Sequence, residues 1–504
     1  MKSIFKAVAT VTIFSILTRL LGFFFRIYLS RKLHAEGIGL FQMATSILGV
    51  FMTIIASGIP LTTAKFVSQH EANHNPNKRN KVVGSALVIA LLASFFSCLF
   101  IFLLKSSWGI VLTDSRAVEV LIVLIPSIVF SAVYAVVRGA LWGQKDFFNC
   151  GLTELIEQII RFVLTFVMLL NVSDYFAATK QSAHAFNITC LLSAIITLIL
   201  YLRKGKINFK NGEYRRVLNS AAPITGVRLA SSLVQPLTTL IIPSMLVLSG
   251  YSSSEAISCF GVVMGMTFPM LFVPMSIIGS ISMVLIPSFS VMYAKKEFDK
   301  IKSNLKSSIN VSIFISMLFI PLYLAVGNLI GIVLFNNSMS GILLQLAAIC
   351  ILPITLCNLS GSVLNALNLE KKSFLNYLLG SAVLFTCLII FTPIVGIHSI
   401  IISFFLSMSL ISYLNLRKIK AEIGDLELNF IPTLMKYCII IAPSSVFGHI
   451  ISNICLTIFN NFFSAVIGGG IAIVCMLILA RVFNLFNLRE FFSLVKSRKK
   501  IQKT

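Results

Sequence analysis

The sequence is poor in charge. Asp, Glu, Lys and Arg together make up 12% of its 504 residues, whereas about 25% is usual for soluble proteins. So few charged side chains could not cover a surface that meets water on every side. The composition therefore excludes a soluble enzyme and a soluble nucleic-acid-binding domain.

The sequence also lacks the motifs on which most site chemistry depends. The ten cysteines are scattered, with no Cys-x-x-Cys pair, so they indicate apolar packing and not disulfides or a metal centre. His70 and His74 flank Glu71 without a third ligand nearby, and we expect a solvated loop there instead of a zinc site. A Gly-rich phosphate loop, a serine elbow and a cluster of His, Asp and Glu are all missing. We therefore expect neither an enzyme nor a cofactor.

Apolar residues, in contrast, are abundant and continuous. Hydrophobic residues make up 57% of the chain and fall into runs of 18 to 30. About 20 such residues cross a bilayer as a helix, whereas a transmembrane barrel would show short alternating segments. We predict an all-α polytopic membrane protein with about 14 transmembrane helices. The predicted spans are residues 7–30, 38–64, 82–104, 118–143, 152–171, 183–202, 218–248, 257–290, 309–334, 341–368, 374–394, 396–416, 431–455 and 459–482.

The distribution of positive charge predicts the orientation of these spans. The formal net charge is +24, and 29 of the 41 Lys and Arg residues fall on the side of the two termini, against five on the other side. Cytoplasmic loops carry such an excess of Lys and Arg. We therefore expect a protein of the cytoplasmic membrane with both termini inside. Its basic loops and the run KSRKK (496–500) then face anionic membrane lipids, not nucleic acid.

Two landmarks recur in the sequence at a spacing of 227 residues. Residues 58–60 (GIP) correspond to residues 285–287 (LIP), and Pro126 corresponds to Pro353. A repeated spacing of this kind predicts two six-helix lobes of parallel topology around a central cleft. We expect an N-lobe at 1–216, a C-lobe at 217–430, and helices 13 and 14 with a basic cytoplasmic tail at 431–504.

Prolines concentrate in the seventh and eighth predicted spans. Each proline removes a backbone donor from the helix and favours a kink. Proline is common in membrane helices, but five in two adjacent spans favour functional bending. The five are Pro223, Pro236, Pro243, Pro269 and Pro274.

Four arginines lie inside predicted spans, where a charge costs at least about 2.5 kcal/mol. They are Arg19, Arg26, Arg161 and Arg228. Arginine stays protonated and binds phosphate oxygens in pairs, so these side chains favour an anionic, phosphorylated substrate. The alternative is that each arginine is paired or reaches the interface. For Arg161 the pairing alternative is specific, because Glu157 lies four residues before it.

The remaining polar residues within spans are fewer. Glu154 and Glu157 are the acids well inside a span, and we regard them as candidates for ion coupling or gating. Gln42 and Gln235 either line a polar cleft or bond between helices. Charges near cytoplasmic span ends are expected to be interfacial anchors; these are Lys65, Arg138 and Lys436.

Several segments resemble one family of membrane proteins. TRLLGFFFRIYLSRKLHAEGIGLFQ (18–42) is similar to the opening of stage V sporulation protein B and its polysaccharide-exporter relatives, and ASGIPLTTAKFVS (56–68), VRGALWGQ (137–144) and IEQIIR (156–161) extend the resemblance. That family lies in the multidrug, oligosaccharidyl-lipid and polysaccharide exporter superfamily, whose members have two six-helix lobes, often with two added helices. The resemblance implies translocation of a polyprenyl-pyrophosphate-linked saccharide, with spore-cortex peptidoglycan synthesis as the setting.

Three functions stay open at this point. The first is a flippase for a lipid-linked saccharide, acting by alternating access. The second is a proton- or sodium-coupled drug antiporter, which would need a carboxylate such as Glu157 or Glu154. The third is a membrane scaffold for envelope synthesis, whose candidate partners are envelope-synthesis enzymes. In each case we expect a monomer.

Overall fold

The computed structural model describes residues 2–210, 212–426, 430–483 and 485, and in this part of the chain every regular element is a helix. The first eleven α-helices are α1 (Lys2–Ala56), α2 (Gly58–Ala72), α3 (Pro76–Leu103), α4 (Lys105–Val111), α5 (Ser115–Leu124), α6 (Pro126–Gly143), α7 (Phe147–Met168), α8 (Tyr175–Leu202), α9 (Tyr214–Ser232), α10 (Val234–Leu248) and α11 (Ser253–Phe260). A π-helical segment, Gly261–Thr267, follows. The remaining helices are α12 (Phe268–Leu271), α13 (Val273–Ala294), α14 (Phe298–Phe335), α15 (Ser338–Ala347), a 3₁₀ turn (Ala348–Cys350), α16 (Ile351–Ala366), α17 (Glu370–Val395), α18 (His398–Ile423), α19 (Phe430–Leu456) and α20 (Asn461–Val482).

Short polar residues set the first residues of several helices. Asn75 accepts a hydrogen bond from the backbone N–H of Lys78 at 3.1 Å, with Pro76 at the first position of α3. Ser252 and Glu255 form a reciprocal capping box at the start of α11. Such caps satisfy backbone donors that have no partner inside the helix.

Twelve helical segments of the described residues are long and apolar enough to cross a membrane. The first two predicted spans both overlap one such segment, Ile13–Ala72, which is interrupted at His34 by non-helical backbone. The fifth predicted span is α7, whose three charged side chains exclude it from the twelve. The prediction of an all-helical membrane fold is confirmed, whereas the count of fourteen is not.

Three of the five prolines lie close to irregular backbone, whereas Pro223 and Pro243 lie inside the helices α9 and α10. A one-residue break separates α9 from α10 three residues before Pro236, and Pro269 is the second residue after the π-helical segment. Pro274 lies in the first turn of α13. A proline lacks the N–H that would continue the helical hydrogen bonds, so the regular helix ends close to it. Breaks in regular helix are therefore present near Pro236, Pro269 and Pro274. Functional bending at these places stays a prediction.

The chain divides into two compact units, residues 1–261 and 262–504. In the first unit α1 packs against α5, α7, α8, α9 and α11, and α6 packs against α2, α3 and α8. In the second unit α14 is central and contacts α13, α15, α16, α19 and α20. The lobe boundaries predicted from the repeat stay a prediction, and the predicted basic tail at 486–504 lies outside the described residues.

Candidate functional site

A cavity of about 500 Å³ lies within the first unit, between helices α1, α2, α6, α7 and α8. This volume is in the range of small-molecule sites, roughly 300–1,000 Å³. Helices α1 and α2 contribute apolar residues such as Met52, Pro60 and Leu61. The polar and aromatic wall comes from α6, α7 and α8, and consists of Tyr134, Arg138, Trp142, Glu157, Arg161 and Phe186.

Helical periodicity explains how these residues come to share one wall. On α7, Glu154, Glu157 and Arg161 follow one another at intervals of three and four residues, which places them on one face of the helix. On α6, Tyr134 and Arg138 are four residues apart and likewise share a face. The opposite face of α7 carries apolar, exposed side chains such as Val163 and Phe166, as a lipid-facing surface does.

Arg161 is paired within its own helix. Its Nη2 donates to Glu157 Oε1, and the two side chains are 19% and 18% exposed. The guanidinium also lies over the ring of Phe186, with Cζ 5.0 Å from the ring centroid. The i,i+4 pair expected from the sequence is therefore present, and Arg161 Nη2 already donates to a carboxylate.

Arg138 forms a second ion pair that the sequence did not predict. Its Nη2 donates to Glu154 Oε2 at 2.5 Å, across from α6 to α7. Its Cζ lies 5.9 Å from the ring centroid of Tyr134. The side chain lines the cavity and is held there by a carboxylate 16 residues away, while its predicted place at the membrane interface stays a prediction.

Two polar atoms of the cavity wall lack a normal hydrogen bond. Arg161 Nε is buried without a partner, and Tyr134 Oη is buried near the Glu157 carboxylate without a hydrogen bond of normal geometry. A buried polar atom without a partner costs about 1–3 kcal/mol. These atoms therefore mark the cavity as a place where a polar group of a ligand would be stabilised.

The other three predicted arginines lie elsewhere in the first unit. Arg19 and Arg26 are on α1, and Arg228 is on α9, which packs against α1. Arg19 and Arg228 are exposed and Arg26 is half-buried. None of the three has an ion pair with a described residue, and none lines the cavity.

The two predicted glutamines are also outside the cavity wall. Gln42 is half-buried on α1, and Gln235 is exposed on α10. In both cases the backbone carbonyl accepts a bond from a threonine hydroxyl, Thr45 at 3.3 Å and Thr239 at 3.0 Å. Their predicted part in substrate binding stays a prediction.

A polar network that sequence reasoning missed ties α11 to the rest of the first unit. Arg116, at the start of α5, donates to Glu36 at 2.5 Å, to Asp114 at 2.7 Å and to Tyr175 Oη at 2.8 Å. Ser254 of α11 donates to the same Glu36 carboxylate at 2.7 Å. The bonds to Asp114, though opposed by burial, raise the pKa of Arg116 above its usual value. No local spacing signals this network, because Glu36, Arg116 and Ser254 are far apart in sequence.

The comparisons with known proteins agree with the family resemblance. The model of a family described as polysaccharide biosynthesis protein matches residues 4–293. Stage V sporulation protein B of Bacillus subtilis strain 168 is 24% identical over 379 residues, 73% of each chain.

Two solved structures show the same fold. The lipid II flippase MurJ in an inward closed conformation matches with a TM-score of 0.68 at 15% identity, over 94% of this chain and 98% of that one. An inward-facing multidrug resistance MATE family transporter of the MOP superfamily matches with a TM-score of 0.66 at 13% identity, over 84% of this chain and 99% of that one. The resemblance predicted from residues 18–42 and the later segments is confirmed.

Proposed function

Since this chain belongs to the polysaccharide biosynthesis protein family, we propose that it is a flippase that moves a polyprenyl-pyrophosphate-linked saccharide across the cytoplasmic membrane. The observation that carries the proposal is the set of arginines on membrane helices that have no ion pair with a described residue: Arg19, Arg26 and Arg228. An unpaired charge in a membrane segment is costly. A pyrophosphate group would supply the missing counter-charge.

The chemistry of arginine fits this cargo. Its planar guanidinium binds two phosphate oxygens at once and keeps its charge at any physiological pH. Arg19 and Arg26 are seven residues apart on α1, so they share one helix face and lie about 10 Å apart along the axis. With Arg228 on the neighbouring α9, the set is suited to the two phosphates and not to a cationic drug.

Transport is proposed to follow the alternating access expected of two lobes. The head group enters the cleft from the cytoplasm while the prenyl chain stays in lipid, and movement of the lobes then exposes the head group outside. With both termini cytoplasmic, the membrane potential favours outward movement of an anion by about 2.3 kcal/mol per charge per 100 mV. Peptidoglycan of the spore cortex is the proposed setting, in line with the similarity to a stage V sporulation protein.

One observation favours a second candidate, an ion-coupled antiporter. Glu157 is a carboxylate that lines a cavity between membrane helices, and carboxylates in such places carry protons or ions in many transporters. Against it, both acids of the cavity region are already paired, Glu157 with Arg161 and Glu154 with Arg138. The lipid-linked saccharide therefore remains our first proposal.

The test is flipping of a fluorescent polyprenyl-pyrophosphate saccharide in liposomes by wild type, Arg19→Ala and Arg228→Ala. A charged hydrogen bond contributes about 1.5–3 kcal/mol, so each variant is expected to flip at least about tenfold more slowly. Arg203→Ala is the matched control, because Arg203 is exposed at the end of α8 and outside the predicted set. Unchanged flipping in both variants, with normal folding, would contradict the phosphate contacts. Loss of transport in Glu157→Gln, with transport retained in Arg19→Ala and Arg228→Ala, would favour the antiporter.

A further inference from the structure

The charged groups around the cavity of the first unit cancel one another. Arg161 is paired with Glu157, and Arg138 is paired with Glu154 at 2.5 Å. Glu154 is outside the cavity lining, but its pairing with Arg138 brings the sum over the two guanidinium and two carboxylate groups to zero formal charge. The cavity therefore differs in charge from the region of Arg19, Arg26 and Arg228, whose positive charges have no ion pair with a described residue.

The polar atoms left over in the wall are of mixed hydrogen-bonding type. Tyr134 Oη can donate and accept, whereas Arg161 Nε can only donate, and both are buried without a hydrogen bond of normal geometry. Carboxylate oxygens accept only, and that of Glu157 lies in the same wall. A ligand that satisfies this set has to offer donors and acceptors together.

The ring systems of the wall add an apolar surface beside the polar atoms. Phe186 and Trp142 line the cavity with Tyr134, and Trp142 is 44% exposed while packed edge-on against Phe147 at 5.3 Å between centroids. An exposed indole offers a large flat surface with one polar N–H. Such a surface suits a flat ligand with apolar C–H faces.

Three kinds of ligand can be compared against these features. Because the two ion pairs cancel, the cavity has no net charge to compensate an anion or a cation for the hydration that it would lose on entering. A purely apolar ligand would leave Tyr134 Oη and Arg161 Nε without a normal hydrogen bond. A neutral, hydroxyl-rich ring compound avoids both penalties, because each hydroxyl donates and accepts.

We infer that this cavity is the saccharide subsite of the transported substrate, separate from the arginines that hold the phosphates. The inference rests on the proposed transport of a lipid-linked saccharide. In this arrangement Tyr134 Oη and Arg161 Nε bond sugar hydroxyls, Glu157 accepts from another hydroxyl, and Trp142 covers a ring face. Arg161 then belongs to the saccharide subsite and not to the phosphate contacts.

The experiment compares two probes on the purified full chain in lipid nanodiscs: a polyprenyl pyrophosphate that carries a neutral disaccharide, and the same lipid without sugar. Binding of both is measured for wild type, Tyr134→Phe, Glu157→Gln and Arg228→Ala. Tyr251→Phe is the matched control, because Tyr251 lies between α10 and α11 and does not line the cavity.

Tyr134→Phe removes one hydroxyl and is expected to weaken the sugar-bearing probe roughly three- to tenfold, without effect on the bare lipid. Glu157→Gln is expected to weaken the same probe selectively, and Arg228→Ala to weaken both probes alike. The subsite would be overturned if Tyr134→Phe weakened the binding of both probes equally or of neither. Equal affinity of wild type for the two probes would also overturn it.

The outcome for transport is read separately. Wild type that binds the sugar-bearing probe more tightly but flips neither probe leaves the subsite standing and overturns the proposed function. Wild type that binds and flips both probes equally leaves the proposed transport standing and overturns the subsite.

Discussion

At the scale of single residues, the charges of the first unit are of two kinds. Arg138 and Arg161 each have a carboxylate and an aromatic ring in contact, which offsets the cost of removing their charge from water. Arg19 and Arg228 have no ion pair with a described residue and are exposed. The paired arginines need no ligand to balance their charge. An anionic ligand would therefore contribute most at the unpaired arginines.

Asp146, between α6 and α7, gives a prediction about pH. Burial raises the pKa of its carboxyl, but hydrogen bonds from Lys204 and Asn149, each at 2.7 Å, outweigh burial and lower the pKa overall. A carboxyl with a lowered folded pKa contributes stability that is present above its unfolded pKa of about 3.9 and is lost as pH falls through the folded value.

We therefore expect Asp146→Asn to lower the free energy of unfolding by up to about 1 kcal/mol at pH 7, since Lys204 is half exposed and its pair is weakened by solvent. The difference from wild type should shrink as the pH falls below about 4. Apparent Tm in detergent at several pH values measures this. Asp299→Asn is the control, because Asp299 is fully exposed, and a constant difference across the pH range would contradict the prediction.

At the scale of helices, the contact between α1 and α11 is set by backbone that approaches closely. A Cβ atom at Gly39 would lie 2.3 Å from the carbonyl oxygen of Ile257, and one at Gly261 would lie 2.0 Å from that of Ala35. Small residues at such positions let two helices pack with their backbones in contact. The network of Glu36, Arg116 and Ser254 lies beside this contact and joins the same two helices.

We expect Gly39→Ala to lower the free energy of unfolding by about 1–3 kcal/mol, since either helix has to shift to admit a methyl group. Gly49→Ala is a matched control on the same helix, because a Cβ at Gly49 meets nothing within 4 Å. It should be neutral or stabilising by up to about 1 kcal/mol. The apparent Tm of the purified variants measures the difference. Equal changes in Tm for the two substitutions would show that the close contact does not contribute to stability.

At the scale of the whole molecule, the chain is a multi-pass membrane protein built from two compact units. The exposed side chains of its long helices are mostly apolar, as with Phe95, Phe96 and Phe102 of α3, which is expected where lipid replaces water as the solvent. Its basic residues lie mainly in the segments between helices on one predicted side. That arrangement yields a prediction about orientation.

We expect an epitope tag placed after Asn171, between α7 and α8, to be reached by antibody from outside intact cells. A tag placed after Phe209, between α8 and α9, should be reached only after permeabilisation, because the loop around it is strongly basic. Both positions are exposed, so the tags should be tolerated. Accessibility of the second tag in intact cells would reverse the orientation and, with it, the proposed direction of transport.

The sequence alone determined the features that depend on near neighbours along the chain. Apolar runs predicted the membrane helices, and three of the five prolines singled out lie near breaks in regular helix. The four-residue spacing predicted the pair of Glu157 and Arg161, which is present. Each of these follows from helix geometry and solvent preference within a few turns. The segments that resemble the family could likewise be recognised from the sequence alone, and the family match confirms the resemblance.

Only the tertiary structure decided which distant residues meet. It paired Arg138 with Glu154 across two helices, joined Glu36 to Arg116 and Ser254, and placed Arg138 in the wall of the same cavity as the pair of Glu157 and Arg161. The position of Arg138 near a helix end predicted an interfacial anchor and gave no sign of its partner Glu154 on the next helix. The physical reason is that contacts between helices depend on their rotation and packing, which no local pattern in the sequence specifies.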